Sequence, residues 1–201
     1  MIPTTLIILS VIILKYINGE DMGKYISNAF AVTNGLLKKA IWKVKCPYIH
    51  SGGFLRVFKG ADINFYRTAD VYIGNGVKLD KNCTVVCVKQ AKLVFGEKTG
   101  IGPGCRVICR KHIEIGDNTM FGPNVFLYDH DHRIDENNNV LRSEFTTDEI
   151  VIGKNCWIGA NTIILKGTKI GDNCIIGAGC IIKGTINTGS KVIQKRTTTY
   201  L

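Results

Sequence analysis

The chain has 201 residues, 45% of them apolar, which suits a single domain with a real core and argues against wholesale disorder. Its 26 basic and 16 acidic residues leave a net charge of +10, a balance that favours polyanions or anionic membrane surfaces. No helix-turn-helix, zinc-finger or RRM pattern accompanies that charge, so nucleic acid is not the expected partner.

The first element in chain order is the apolar run Leu6–Leu14 within MIPTTLIILSVIILKY. Its nine residues fall short of the roughly 20 that a bilayer-spanning helix needs. It also lacks a basic n-region and an A-x-A cleavage site, so it does not read as a cleaved signal peptide. Next, Lys24–Lys45 (KYISNAFAVTNGLLKKAIWKVK) reads as a basic amphipathic helix with Ile26, Phe30, Leu37 and Ile41 on its apolar face, weakened by Asn34 and Gly35. Two readings stand side by side: a helix docked on the domain, and peripheral membrane contact through residues 1–45. An apolar strip joined to lysines is the two-signal pattern of peripheral binding. The expected location is the cytoplasm, at the inner face of the cell membrane.

From residue 73 an aliphatic or aromatic residue recurs every six positions, in groups of three. The groups are Ile73, Leu79, Val85; Phe95, Ile101, Val107; Ile115, Phe121, Leu127; Ile152, Ile158, Ile164; and Ile170, Ile176, Ile182. Such register predicts triangular coils whose sides are short strands and whose corners turn at Gly or Asn/Asp. The apolar residues point inward and stack on their equivalents in the next coil, so each coil buries its apolar face only against its neighbours. Phe54–Val71 reads as an imperfect first coil.

Eight cysteines invite a disulfide or metal reading, but there is no C-x-x-C, and five of the eight fall at one position of the repeat. Cys83, Cys105, Cys156, Cys174 and Cys180 occupy position five of the hexapeptide, a slot they share with Thr99, Thr119, Thr162, Thr168 and Val125. There they are expected to act as small, reduced, buried fillers. Cys87 and Cys109 share position three of successive coils and stack as a thiol pair or a bridge.

Successive groups begin 22, 20, 37 and 18 residues apart, so the third step carries 19 extra residues, roughly Arg133 to Val151. RIDENNNVLRSEFTTDEIV is polar and lacks the repeat, and it follows YDHDH, which holds His130 and His132. A long excursion from a compact solenoid is usually functional or disordered. The expected divisions are a helical N-terminal appendage (1–50), the coil domain (51–186) with its excursion loop (133–151), and a basic tail (187–201). His50 has no motif around it and defaults to a structural role.

FGPNVFLYDHDH through IVIGKNCWIGANTIILKGTKIGDNCIIGAG resembles the hexapeptide-repeat sugar O-acetyltransferases: the maltose, galactoside and capsular-polysaccharide enzymes. The resemblance implies an all-β solenoid, a left-handed parallel β-helix with a short helical N-terminal segment. It implies an acetyl-CoA-dependent transfer of acetyl to a hydroxyl of a surface or capsular polysaccharide or its precursor, without a metal, in a homotrimer whose sites lie between subunits. In that family a histidine falls nine residues after the proline of the P-N-V turn; counting from Pro123 gives His132 as general base. A neutral imidazole suits that task near pH 7. His130, Asp129, Asp131 and Tyr128 would shape the acceptor side, and Asp129, Asp131 or Glu144 would orient the base. Trp157 of the W-I-G motif would line the coenzyme site, with the Gly159–Ala160 and Gly177–Ala178 amides on the pantetheine arm and Lys166 and Lys183 toward phosphate. The family's C-terminal T-K-D-I-P ending is absent, which leaves Lys195 and Arg196 as substitutes for holding the adenine end. Two alternatives stay open. One is N-acetylation of a nucleotide-linked amino sugar. The other is a zinc site resembling the hexapeptide carbonic anhydrases, with His112 stacked on His132 one coil away and His130 on the same face.

Overall fold

The computed structural model describes residues 22–195. Helix α1 (Met22–Lys45) comes first, and the strands then run in coils of three. The first four coils are β1 (Ile49–Ser51), β2 (Leu55–Val57), β3 (Asp62–Phe65); β4 (Asp70–Ile73), β5 (Val77–Leu79), β6 (Thr84–Cys87); β7 (Lys92–Phe95), β8 (Gly100–Ile101), β9 (Arg106–Cys109); and β10 (His112–Ile115), β11 (Met120–Phe121), β12 (Phe126–Tyr128). The excursion comes next, as β13 (His130–Ile134) and β14 (Val140–Thr147). The coils resume with β15 (Ile150–Ile152), β16 (Trp157–Ile158), β17 (Ile163–Leu165); β18 (Lys169–Ile170), β19 (Ile175–Ile176), β20 (Ile181–Ile182); and β21 (Thr185–Ile186), β22 (Lys191–Val192).

Strands equivalent in successive coils pair in parallel, building three flat faces. Face A holds β1-β4-β7-β10-β15-β18-β21, face B holds β2-β5-β8-β11-β16-β19-β22, and face C holds β3-β6-β9-β12-β17-β20. This is the expected left-handed parallel β-helix, and its register is that of the hexapeptides: Ile73 pairs with Phe95, Phe95 with Ile115, Ile115 with Ile152, and Ile152 with Ile170. All fifteen apolar residues of the repeat are buried. Corners are turned by left-handed asparagines, such as Asn118 and Asn155 with φ of 56° and 55°. Asparagine reaches that conformation because its short amide bonds locally.

The position-five residues are buried as expected, and every described cysteine is free. They do more than fill. The Cys105 thiol donates to the Gly122 carbonyl at 3.1 Å, Cys156 to Gly171 at 3.2 Å, and Thr119 Oγ1 to Gly153 at 2.8 Å. At these positions the small side chain carries a donor for the corner carbonyl of the next coil, so thiol and hydroxyl interchange there, whereas Val125 fills the slot without one. Burial pushes the Cys83 thiol up to about 12, and the neighbouring Cys87 together with burial drives Cys109 upward as well. Neither Cys83 nor Cys109 is a poised nucleophile.

Helix α1 is a cap on the open end of the solenoid, more intimately joined than an appendage. Its indole Trp42 is buried in the common core, 4.9 Å between ring centroids from Phe65. Ala31 and Gly35 let the helix approach β2, and a Cβ at Gly35 would stand 2.2 Å from the Leu55 carbonyl oxygen. Asn34 Nδ2 donates to the Val57 carbonyl at 3.0 Å, and Lys39 Nζ to Gly52 at 2.6 Å. The two residues that weaken the helix by propensity are thus two that dock it. The face with Ile26, Phe30, Leu37 and Ile41 points outward. The apolar run Leu6–Leu14 lies outside the described residues.

At the other end β21 closes at residue 186 and β22 adds one further side beyond it. Where the third side would pair, the Gln194 side chain accepts from the Ile181 amide and donates to its carbonyl, both at 2.8 Å. One glutamine amide thereby satisfies the backbone of the last strand of face C.

The excursion is an ordered antiparallel hairpin, not a structureless loop. His130 pairs with Thr147, His132 with Phe145 and Arg133 with Leu141, with a register shift between His132 and Arg133. Its tip is closed by Asp135, whose Oδ1 accepts from the amides of Asn137 and Asn139. Among the described residues no helix is long and apolar enough to cross a membrane.

Candidate active site

The hairpin leaves the solenoid at the corner between faces C and A, and the last coil residue before it is Asp129. Inward positions on face C form the column Phe65, Cys87, Cys109. Because Tyr128 pairs with Ile108, Asp129 takes the next place in that column, a carboxylate where the preceding coils hold thiols. It is fully buried. Burying a carboxylate is tolerable only when its oxygens are saturated with donors. Here three successive amides of the preceding coil supply them: Arg110 at 2.8 and 2.9 Å, Lys111 at 2.7 Å and His112 at 3.0 Å.

The remaining contact of Asp129 goes to His130, whose Nδ1 lies 3.1 Å from Oδ1. A carboxylate ringed by donors can only accept, so in the neutral imidazole the proton is placed on Nδ1 and Nε2 keeps its lone pair. The ring is largely buried, edge-on to Tyr128 at 6.1 Å and to Phe145 at 5.4 Å. Phe145, from the returning strand of the hairpin, also stacks at 4.6 Å against His132 and lies 3.6 Å below the Arg110 guanidinium. That cation–π contact and a salt bridge from Lys166 Nζ to Asp131 at 3.0 Å fasten the hairpin to the coils. Lys166 also hydrogen-bonds the Thr146 hydroxyl, so it anchors the hairpin and its charge is already matched.

The structure therefore gathers Tyr128, Asp129, His130, Asp131, His132 and Lys166 at one corner, and sorts them differently from the spacing argument. Of the three carboxylates that could orient a base, Asp131 is held by Lys166 and Glu144 by Arg133 at 3.1 Å, which leaves Asp129. It serves His130. His132 has left the coil for the exposed strand β13 and meets Phe145. Sequence reasoning missed this pairing, although the signal was present: the register that puts Cys87 and Cys109 inward puts Asp129 inward too.

The expected stacking of His112 on His132 does not occur, because the coil breaks between them. His112 lies in face A, its Nδ1 3.6 Å from Glu149 and its Nε2 3.6 Å from Glu114. Among the described residues no group of three or more His, Cys, Asp or Glu side chains is placed to hold a metal ion. His50 is exposed on β1, paired in register with Tyr72.

The residues expected to line a coenzyme lie elsewhere. Trp157 projects from face B, half exposed, in an outward column with Met120 and Ile175. In a triangular section face B is opposite the corner between C and A, so Trp157 and His130 do not meet within one chain. The Gly159 and Gly177 amides are engaged, donating to Ile176 and Val192 carbonyls at 2.7 Å each. An arm lying along that edge would meet the amides of Ala160 and Ala178 instead. Lys183 and Lys195 are exposed near the C-terminal end, and Arg196 lies outside the described residues.

Regular coils with left-handed asparagine corners and one ordered excursion define a hexapeptide-repeat β-helix. Residues 149–184 match the family described as bacterial transferase hexapeptide (six repeats). It is 29% identical over 148 residues to a probable acetyltransferase of Mycobacterium tuberculosis, covering 72% of this chain and 49% of that one. It is 32% identical over 97 residues to a polysialic acid O-acetyltransferase of Escherichia coli O1:K1, covering 45% of this chain and 31% of that one. The chain thus spans half or less of the length of these two relatives. Among solved structures it resembles AntD, an N-acyltransferase from Bacillus cereus, in complex with dTDP and 3-hydroxybutyryl-CoA. That likeness has a TM-score of 0.58 at 19% identity and covers 77% of this chain and 79% of that one, a likeness of fold.

Proposed function

We propose that the chain is an acetyl-CoA-dependent O-acetyltransferase that acetylates a sugar hydroxyl of a surface or capsular polysaccharide or its precursor, with His130 as general base and Asp129 as its positioning residue. The observation that carries the reading is the buried Asp129 carboxylate on His130 Nδ1. A hydroxyl is a poor nucleophile until its proton is drawn off, and a fixed Nε2 lone pair does this for roughly 10²–10⁴ in rate. The acceptor oxygen attacks the thioester carbonyl while Nε2 takes its proton. The tetrahedral intermediate then expels the CoA sulfur, which receives that proton from the imidazolium. No cysteine is required as a nucleophile, in keeping with thiols that are buried and, at Cys83 and Cys109, raised. The names of the two relatives support acetyl as the group transferred, and the polysialic acid enzyme supports a glycan hydroxyl as acceptor.

Within this reading the catalyst is a homotrimer. His130 lies at one corner and Trp157 on the opposite face, so a site that uses both is completed by a neighbouring copy. The exposed apolar column Met120, Trp157 and Ile175 gives face B a surface for that association. Coenzyme release measured against a panel of glycans, nucleotide sugars and amino sugars tests the reaction. A hydroxyl acceptor is expected, and turnover confined to amine acceptors would refute it. Mixing His130→Ala with Trp157→Ala protein after subunit exchange should restore activity that neither has alone. Failure of exchanged mixtures to recover would refute the shared site.

A further inference from the structure

The helix α1 has two apolar sides, and only one is covered. Ala31, Gly35 and Trp42 face the coils, whereas Ile26, Phe30, Leu37, Ile41 and Val44 face out, with Phe30 71% and Val44 86% exposed. The spacings of 4, 7, 4 and 3 residues keep these five side chains on one stripe of the helix. A cap whose only task was to close the solenoid would carry polar residues there.

We propose that this outward stripe is a docking surface for anionic lipid bilayers, with α1 lying in the plane of the membrane interface. This goes beyond the acetyltransferase reading and does not depend on it. Charge selects the occupant. From Met22 to Lys45 the helix holds five lysines and no acidic residue, and Lys43 and Lys45 stand in its last turn. Lys39 is turned to the Gly52 and Gly53 carbonyls, leaving Lys38, Lys43 and Lys45 beside the stripe. Two copies pairing through this stripe would bring like-charged lysines together, whereas an anionic headgroup layer attracts them. Apolar side chains combined with a basic fringe are the pair of signals that hold a protein on a lipid surface. In the sequence the apolar run Leu6–Leu14 lies just upstream of the same helix.

Flotation of the full chain with vesicles of phosphatidylcholine alone, or phosphatidylcholine mixed with phosphatidylglycerol, tests this. The protein should float with the anionic vesicles and be released by added salt. Combined Phe30→Ser, Leu37→Ser and Ile41→Ser substitutions touch only exposed side chains and should lower partitioning by about tenfold or more. Combined Lys38→Glu and Lys45→Glu should weaken binding to anionic vesicles by roughly fivefold per lysine and leave neutral vesicles unaffected. If the serine variant fails to fold, by melting, the lysine variant decides. Three outcomes overturn the proposal: no flotation with anionic vesicles; flotation unchanged in both variants, which would assign it to Leu6–Leu14; and light scattering in which the serine variant dissociates an assembly, which would assign the stripe to a second copy. Acceptor turnover in detergent-free solution separates the two claims, since a dead catalyst that still floats refutes only the acetyltransferase reading.

Discussion

Replacing Asp129 with asparagine alters one atom and one charge, and the surrounding geometry fixes the consequence. The asparagine oxygen would sit at the Oδ2 place, where it keeps the amides of Arg110, Lys111 and His112 at 2.9, 2.7 and 3.0 Å. Its Nδ2 would then face His130 Nδ1, which in the native chain lies 3.1 Å from Oδ1, while the Arg110 amide, which donates to Oδ1 at 2.8 Å, would turn wholly to the remaining oxygen. An amide N–H₂ donates, so Nδ1 must accept, and the imidazole proton moves to Nε2. Three charge-assisted bonds become neutral ones at about 1 kcal/mol each, a loss of up to about 3 kcal/mol that a domain of ordinary stability survives. The catalytic loss is larger relative to its scale: with the wrong tautomer, kcat should fall by roughly 10²–10⁴, or about 3–5 kcal/mol. Release of the coenzyme thiol at saturating acetyl-CoA and acceptor measures it, alongside thermal melting. The expected split is a low kcat with KM for acetyl-CoA nearly unchanged, in a variant that still melts well above the assay temperature. His130→Ala should match it, and His132→Ala should cost far less. Near-normal turnover by the asparagine variant, or a greater loss at His132, would refute the pairing of Asp129 with His130.

Gly35→Ala should destabilise the folded chain by about 1–3 kcal/mol in chemical denaturation, despite the roughly 1 kcal/mol that alanine adds to an exposed helix, because its Cβ would stand 2.2 Å from the Leu55 carbonyl oxygen. The eight buried free thiols should react with a disulfide reagent only after unfolding, and any fast native thiol would contradict the packing at Cys83 and Cys109. Acid should loosen the excursion first, since three of the four described carboxylates held low lie at it and one, Asp117, lies in the coils, held by the Glu97 amide. The Asn139 side chain holds Asp135 low, the Glu149 amide holds Asp148 low, and Lys169 holds Glu149 low. Their depressed values give stabilisation that is complete above the unfolded values of about 4 and is lost as pH falls through the folded ones. Pepsin should therefore cut first within 133–149 at low pH, and cuts distributed over the coils would count against this order.

The coils were legible because every interior position carries the same constraint. Ile73, Phe95, Ile115, Ile152 and Ile170 stack in one column, so a six-residue period in the sequence is the stack itself written along the chain. Helix α1 was legible as a helix but not in its orientation. Hydrophobicity points to Ile26, Phe30, Leu37 and Ile41, yet the end of a narrow solenoid accepts a helix only where backbones can approach closely. That condition selects Ala31 and Gly35, whose value is their lack of bulk and which no apolar stripe reveals. The hairpin was hidden for a different reason. Between Arg133 and Val151 the period stops, and exposed strands such as β14 carry no inward column to announce them.

The candidate site shows how a repeat can conceal its own exception. Counting from a proline measures distance along the chain, and it selects His132, which has already left the coil. Counting inward columns measures position in space, and it selects Asp129, since Phe65, Cys87 and Cys109 precede it on the same line. A carboxylate in a column of thiols and aromatics breaks the rule that the column obeys, and such a break persists only where compensation exists. Here the compensation is a corner whose three amides turn toward the carboxylate, and His130 is the side chain left to share it. The polarity that would destabilise any other interior position therefore sits where the solenoid opens into its excursion. A buried carboxylate beside a largely buried imidazole is the arrangement that lets a rigid stack of strands hold that ring in one tautomer.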